Sequence, residues 1–431
     1  MNNYIGPSEI IKKKKDFLYP CTHHFYKNPP QIVKGDMQYL FDSTGKKYLD
    51  FFAGVSVMNC GHCNPVILEA AITQMKTLQH TTTIYLTQSI VNLAERLAEV
   101  LPGNIKHSFF CCTGSEANEG ALLLARLHTG KNKFIALENG LHGRTYLTMS
   151  ATAIPMWRAD PNLDSSIIFV PNAYSKNKDL NEAALDSLKA IKKAIKINGA
   201  EKIAALIAEP IQGNGGMITP PKWYFKKLKQ LLNEHNILLI IDEVQTGFGR
   251  TGNMFAIEHY DTIPDIITVA KALGNGMPIA AFCTNDNISA SFTKASASTL
   301  GGNPVSSETG IAVLDYIKDN NLCKKAKILG TKLKEGLINL KNKYPLIKDI
   351  RGIGLMLGAE LIKENGEPAS EETDFILENL KDRGILLGKN GLDRNVLAFQ
   401  PPLVINENDI TFLLTELDSV LNIIYKKLTK Y

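Results

Sequence analysis

Two short apolar runs with opposite chemical endings constrain this chain more than any other feature. Asn236 to Ile241 ends in a carboxylate, Asp242; Asp265 to Ala270 ends in an amine, Lys271, followed by the small residues of Ala-Leu-Gly-Asn-Gly. Strand-length apolar runs alternating with helical stretches predict neighbouring parallel strands, buried on both faces. In such sheets ligands occupy the crevice outside the C-terminal strand ends. Asp242 and Lys271 are therefore expected to face one crevice.

A lysine at a strand end is in most proteins simply solvated. Beside a carboxylate in a crevice it suits pyridoxal phosphate chemistry, the lysine forming a Schiff base and the aspartate keeping the pyridine nitrogen protonated. A phosphate cradle is also present. Thr113-Gly-Ser-Glu-Ala-Asn-Glu-Gly120 follows the apolar stretch Ser108–Cys112 and precedes the helical run Ala121–Arg126. A glycine turn opening a helix offers free N–H groups and the helix dipole to an anion. The plainer reading is a capped helix start with Ser115 as the N-cap. Ser298-Thr-Leu-Gly-Gly-Asn-Pro304 is a second hydroxyl-and-glycine loop.

The 44% hydrophobic and 21% charged content describes an ordinary globular chain, and 431 residues suffice for two domains with substantial cores. A net charge of +5 is slight, so the Lys12–Lys15 run reads as a solvated stretch and no nucleic-acid partner is expected. No apolar segment approaches the roughly 20 residues of a membrane span, and the N-terminus lacks a signal-peptide core. The expectation is a cytoplasmic protein. Seven scattered cysteines fit free thiols in a reducing compartment. Cys60-Gly-His-Cys63 lacks the following histidine of a haem site and the second ligand pair of a zinc site, so no metal is expected.

The pattern divides the chain at about residues 64 and 320. Residues 1–64 contain a hairpin, Gln38–Phe52, turning at Ser43-Thr44-Gly45. Residues 65–320 alternate strands with helices such as Trp223–Asn233. Residues 321–431 follow a long helical run, Ser306 to Tyr344, with strands at Gly352–Leu361 and Val396–Phe399 and helices at Glu372–Arg383 and Asn408–Leu428. Gly247-Phe-Gly-Arg-Thr-Gly252 spells a dinucleotide-binding motif. No helix opens on its glycines, which argues against that use.

Taken together, Thr113–Gly120, His142–Thr145, Ala208–Gly216, Ile241–Gly252, Pro264–Pro278 and Thr299–Pro304 resemble, in order, the class III (subgroup II) pyridoxal-phosphate-dependent aminotransferases. The similarity is greatest to the alanine–glyoxylate aminotransferase 2-like and ω-amino-acid enzymes. The resemblance implies an α/β protein of fold type I. Its large domain would hold a mostly parallel seven-stranded sheet, and a smaller α/β domain would be built from both chain ends. It implies that Lys271 holds the cofactor and moves the proton, that Asp242 pairs with the ring nitrogen, and that Gly114 and Ser115 bind the phosphate. Val244 would pack on the ring, Gln245 would reach its 3′ oxygen, Leu141 and His142 would border it, and Glu209 would lie nearby. Thr299 would come from a neighbouring subunit, making a homodimer with active sites at the interface. The substrates would be an amino donor and a 2-oxo acid acceptor, with epimerisation or elimination as alternative outcomes.

Departures from the family bear on the substrate. Leu141 stands where an aromatic residue usually stacks on the cofactor, giving up about 0.5–1.5 kcal/mol of stacking. Ala398 replaces the arginine that grips an α-carboxylate, and Asn214 replaces the glutamate that covers that arginine. Their joint loss avoids an uncompensated buried charge. The expectation is that Arg144 places a carboxylate distal to the amine, with Tyr85 lining the pocket, and with Arg158 and Arg394 as possible substitutes.

Overall fold

The computed structural model describes residues 4–428. Seven strands build the central sheet: β1 His107–Cys111, β2 Lys133–Leu137, β3 Ile167–Val170, β4 Ile203–Ala208, β5 Leu238–Asp242, β6 Ile266–Val269 and β7 Ala280–Thr284. Their order is β1-β7-β6-β5-β4-β2-β3. β7 runs antiparallel to β1 and β6, and every other pairing is parallel. Every residue of β4, β6 and β7 is buried, as expected of strands sandwiched between helical layers. β5 and β6 are neighbours with Asp242 opposite Thr268, which brings the two chemical strand ends together.

The helix Gly114–Thr129 lies directly on β6 and β7. Gly120 permits that approach: a Cβ there would stand 2.3 Å from Phe282 Cε1, nearer than carbon atoms tolerate. The helix N-terminus is thereby held over the strand ends. Two further sheets have four strands each. In one, Lys47–Asp50 pairs antiparallel with Tyr39–Asp42 and parallel with Ile385–Leu386, joining an early segment to a late one. The other contains Ile347–Ile353, Met356–Leu361, Val396–Phe399 and Gly388–Asn390.

Two elements differ from the sequence reading. The helical run expected from Ser306 to Tyr344 is two helices, Pro304–Asp319 and Leu322–Lys343, parted where Asn321 turns left-handed at φ 52°. Asparagine tolerates that conformation and ends the first helix. The strand expected over Gly352–Leu361 is a hairpin, Ile347–Ile353 with Met356–Leu361, folded at Gly354 with φ 59°. No described helix is long and apolar enough to cross a membrane.

Gly247–Gly252 is a clamp instead of a nucleotide cradle. Arg250 is fully buried and donates to the Leu355 carbonyl (3.0 Å), the Pro401 carbonyl (2.5 Å) and Asn59 Oδ1 (2.5 Å). No carboxylate touches it, and burial lowers its basicity to about 9. Three chain segments converge on one guanidinium. Arg250→Met keeps much of the volume but orphans these acceptors. The variant should be about 2–4 kcal/mol less stable, read from its denaturation midpoint in urea.

Candidate active site

Asp242 ends β5 fully supported. Its Oδ2 accepts from Asn118 Nδ2 (2.8 Å) and lies 2.8 Å from His142 Nδ1, while Oδ1 accepts from the Val244 N–H (3.1 Å). Asn118 is itself fixed, donating to the His142 carbonyl (2.7 Å) and accepting from Thr268 Oγ1 (2.7 Å). All four polar side chains are buried. The network fixes both carboxylate oxygens and the imidazole ring, so the carboxylate is preorganised and cannot swing away.

Lys271 leaves β6 abruptly. Ala270 is the last extended residue and Lys271 takes φ 46°, which breaks the strand and turns its side chain into a cavity of about 320 Å³. Burial pushes its amine down to about 8, with Asp242 and Glu209 partly opposing the shift. Glu209 follows β4 directly and is buried. It accepts from the Leu141 N–H (2.9 Å) and the Gly213 N–H (3.1 Å), tying two walls of the cavity together. Burial, followed by the nearby Asp242 charge, raises it to about 7 against the pull of His142 and of these two N–H groups.

The low basicity of Lys271 has a stability consequence. Between about 8 and the unperturbed 10.5 the unfolded chain holds a proton that the folded chain does not, so folding gains as pH rises through that window. Below 8 both states are protonated and the buried charge is a standing cost. Cofactor-free Lys271→Met should therefore be more stable than the parent at pH 7, by up to about 3 kcal/mol. The difference should shrink as pH climbs from 8 to 10, and a gap constant with pH would refute the assignment.

The phosphate cradle opens the helix Gly114–Thr129. Its N-cap is Thr113 rather than Ser115: Thr113 Oγ1 accepts from the Glu116 N–H (3.2 Å), and Glu116 Oε2 returns to the Thr113 N–H (2.9 Å). Gly114 and Ser115 thus occupy the first turn, where N–H groups lack intrahelical acceptors. A Cβ at Gly114 would come within 2.8 Å of Val244 Cγ1, so only glycine admits Val244 at this wall.

The residues fit pyridoxal phosphate. Both amide atoms of Gln245 and Nε2 of His142 are buried at the cavity without a protein partner. Unsatisfied buried polar atoms of this kind call for a ligand or water. Together with the free helix N-terminus and the Asp242 carboxylate, they form a donor and acceptor set suited to an anionic group joined to a nitrogen heterocycle.

The cavity brings together Gly114, Ser115, Leu141, His142, Asp242, Val244, Gln245 and Lys271. Three expected residues lie outside it. Thr299 lines a second cavity of about 110 Å³, and Tyr85 lines that one as well. Tyr85 thus does not border the Lys271 pocket of its own chain; the irregular segment around Thr82 (φ 63°) carries it beside the 299–304 loop. Arg144 is the third. Gly143 lines the cavity, but its φ of 151° redirects the chain, and the Arg144 side chain is exposed outside the lining. Its backbone N–H serves instead, donating to Ser115 Oγ (3.1 Å). Arg158 is occupied by the Ser150 carbonyl (3.0 Å) and the Thr152 carbonyl (2.5 Å). Ala398 is buried among Ile211, Met217 and Met356, an apolar cluster that fills the space around it.

Sequence reasoning missed Asn118 and Thr268 as supports, although both lie inside motif stretches. It also missed Val57 and Met277 as walls. Val57 is delivered by Ala53, Gly54, Val55 and Ser56, all left-handed at φ 48°, 61°, 67° and 60°. Gly54 is the one residue there whose identity hints at such backbone.

Comparison with known proteins agrees with this geometry. Residues 23–421 match the family model of aminotransferase class-III. The mitochondrial alanine–glyoxylate aminotransferase 2 homolog 2 of Arabidopsis thaliana is 41% identical over 420 residues, 96% of this chain and 88% of that protein. The leucine/methionine racemase of Thermococcus litoralis is 37% identical over 414 residues, 93% of each chain. A solved transaminase from the marine bacterium Virgibacillus superposes with a TM-score of 0.90 at 30% identity, covering 98% of this chain and 100% of that one. The chain belongs to the class III aminotransferases, enzymes that work with pyridoxal phosphate.

Proposed function

We propose that this aminotransferase takes an amino group from an amino acid, an ω-amino acid by preference, and passes it to a small 2-oxo acid such as pyruvate or glyoxylate. The observation that carries the reading is an amine of lowered basicity, Lys271, beside a carboxylate locked by Asn118 and His142. When bound, pyridoxal phosphate supplies an electron-withdrawing ring and an aldehyde carbon that carries the amino group. Lys271 Nζ would hold the cofactor and then move the proton at the substrate's amine-bearing carbon, a task for which a basicity near 8 is well matched. Asp242 would keep the ring nitrogen protonated through a charge-assisted bond. Gly114 and Ser115 would take the phosphate, Gln245 the ring oxygen, and Leu141 and Val244 the two ring faces.

A homodimer belongs to this reading. Tyr85 and Leu86 are exposed beside Thr299 and Ile84 is exposed next to them in the chain, an apolar patch suited to burial against a second copy that would receive Thr299. We assign residues 65–320 to the cofactor domain and 1–64 with 321–431 to the smaller one. A cytoplasmic setting rests on seven free cysteines, which suit a reducing compartment.

The test is a visible spectrum of the cofactor-loaded protein. Excess 4-aminobutyrate or β-alanine, without acceptor, should bleach the visible band, and pyruvate or glyoxylate should restore it. The likeness to a racemase favours one competing outcome. A band that persists while an amino-acid donor loses optical purity would replace amino transfer with epimerisation.

A further inference from the structure

Far from Lys271 in the sequence, the last third of the chain encloses another cavity of about 310 Å³, nearly the volume of the first. No described residue lines both. That volume falls at the low end of small-molecule sites, which run from about 300 to 1,000 Å³. Four segments meet there. They are the chain after the helix Leu322–Lys343, the turn after the strand Met356–Leu361, and the helices Ser370–Asp382 and Glu407–Leu428.

Most of the lining is apolar and fixed. Leu421 and Ile424 belong to the main hydrophobic core, Leu346 packs against that core, and Ile362 is partly buried. The rings of Tyr344 and Tyr425 meet edge to face, 6.0 Å between centroids, and the Tyr344 hydroxyl donates to Asp418 Oδ1 (2.7 Å). Such surface suits a small hydrocarbon body.

One wall is polar and incomplete. Glu372 stands in the first turn of Ser370–Asp382 with its side chain 19% exposed, and its Oε2 is buried with no hydrogen-bond partner among the described residues. Its Oε1 faces Lys363 Nζ at 3.7 Å, too long for a hydrogen bond. Other ion pairs in this part of the chain close up, Arg383 on Glu416 at 2.6 Å and Lys343 on Asp418 at 2.7 Å. The hydroxyls beside Glu372 on its own helix are spent elsewhere, Ser370 on the Asp393 carbonyl (2.6 Å) and Thr373 on the Ala369 carbonyl (2.8 Å). A buried carboxylate oxygen without a donor is costly, and it calls for a donor from outside the chain. Lys363 is the only lysine or arginine among the described residues that line this cavity.

The two charges define a ligand. Glu372 suits an ammonium, Lys363 a carboxylate, and the Leu, Ile and Tyr surface an apolar body. Because the pair stands only 3.7 Å apart, the ligand's own charges must be close together, as they are when both sit on one carbon. We propose that this cavity binds a free α-amino acid with a branched apolar side chain, its ammonium on Glu372 and its carboxylate on Lys363. The site is separate from the Lys271 cavity and does not depend on the amino-transfer reading above.

The test is calorimetry on the cofactor-loaded protein with three probes. L-Leucine is the first; its isomer 6-aminohexanoate carries the same atoms with the charges at opposite ends, and 3-methylbutylamine is leucine without the carboxylate. Glu372→Gln should weaken leucine and 3-methylbutylamine about 10-fold or more and leave 6-aminohexanoate unchanged. Lys363→Met should weaken leucine by a similar factor and leave 3-methylbutylamine unchanged. Neither residue lines the Lys271 cavity, so kcat with the best donor should hold in both variants. Equal leucine affinity in the parent and in Glu372→Gln would place the binding elsewhere and overturn the proposal. Loss of 6-aminohexanoate in step with leucine would mean that the charge spacing is not read, and overturns it too. Leucine binding untouched in Lys363→Met would mean that no carboxylate is read, as for a peptide N-terminus, and overturns the free amino acid. A second readout needs no variant. Leucine should slow amide hydrogen exchange at residues 362–366 of the parent, and no slowing there overturns the site even if a variant fails to fold.

Discussion

Lys271→Met should abolish amino transfer, lowering kcat by about 10⁴-fold or more while the protein stays folded. Methionine matches the length of the side chain and removes only the amine. Nothing else in the cavity can take over. His142 has Nε2 free at the cavity, but its ring is fixed through Nδ1 on Asp242 and cannot travel to the reacting carbon as a lysine side chain can. Glu209 also lines the cavity, but each of its oxygens is held by a backbone N–H, from Leu141 and from Gly213. Arginines are too basic to shuttle a proton near neutral pH. Steady-state rates with the best donor give the answer, and retention of more than about 1% of turnover would show that another group moves the proton. The same variant is expected to gain stability at pH 7, because a buried charge has been removed. Loss of activity with a gain in stability would separate a functional lysine from a structural one.

Much of this site was legible because it lies at strand ends. An apolar run announces a buried strand, and the residue that breaks it must leave the sheet. Asp242 and Lys271 were therefore placed by the same pattern that predicted the fold. The cradle was legible for a similar reason, a glycine turn between a strand and a helix, although Thr113 and not Ser115 proved to be the cap. Asn118 and Thr268 were harder to see. Their role depends on a helix face meeting a strand face, and hydrophobic periodicity does not encode which polar atom meets which. The positions of Arg144 and Tyr85 were hidden for a different reason. Each stands on irregular backbone, where one residue at positive φ redirects the chain, as Gly143 and Thr82 do. Ser306 to Tyr344 shows the same limit within helices, since Asn321 reads as an ordinary polar residue until its φ of 52° is known.

Asp242→Asn is the second large effect, and it probes charge more than shape. Asparagine keeps the size of the side chain but replaces one oxygen by an amino group. Oδ2 now accepts from Asn118 Nδ2 and faces His142 Nδ1, both at 2.8 Å. An amide nitrogen there would confront the Asn118 donor; turned the other way, it would confront the Val244 N–H that Oδ1 accepts at 3.1 Å. Either orientation breaks a bond inside a dry network. The lost charge also reaches its neighbours. Asp242 raises the basicity of Lys271, so the amine should titrate below 8, and it raises Glu209, which should ionise below 7. Without the charge that keeps the ring nitrogen protonated, kcat should fall about 10²–10³-fold, with cofactor lost more readily on dialysis. Asp242→Glu, which keeps the charge at the wrong length, should fall less steeply than Asp242→Asn if charge is what matters. If the two variants lose activity equally, Asp242 acts by positioning His142 and Asn118, and its assignment to the ring nitrogen fails. A shift of the low-pH limb of kcat toward lower pH in Asp242→Asn, following Lys271, would tie the loss to electrostatics and not to local unfolding.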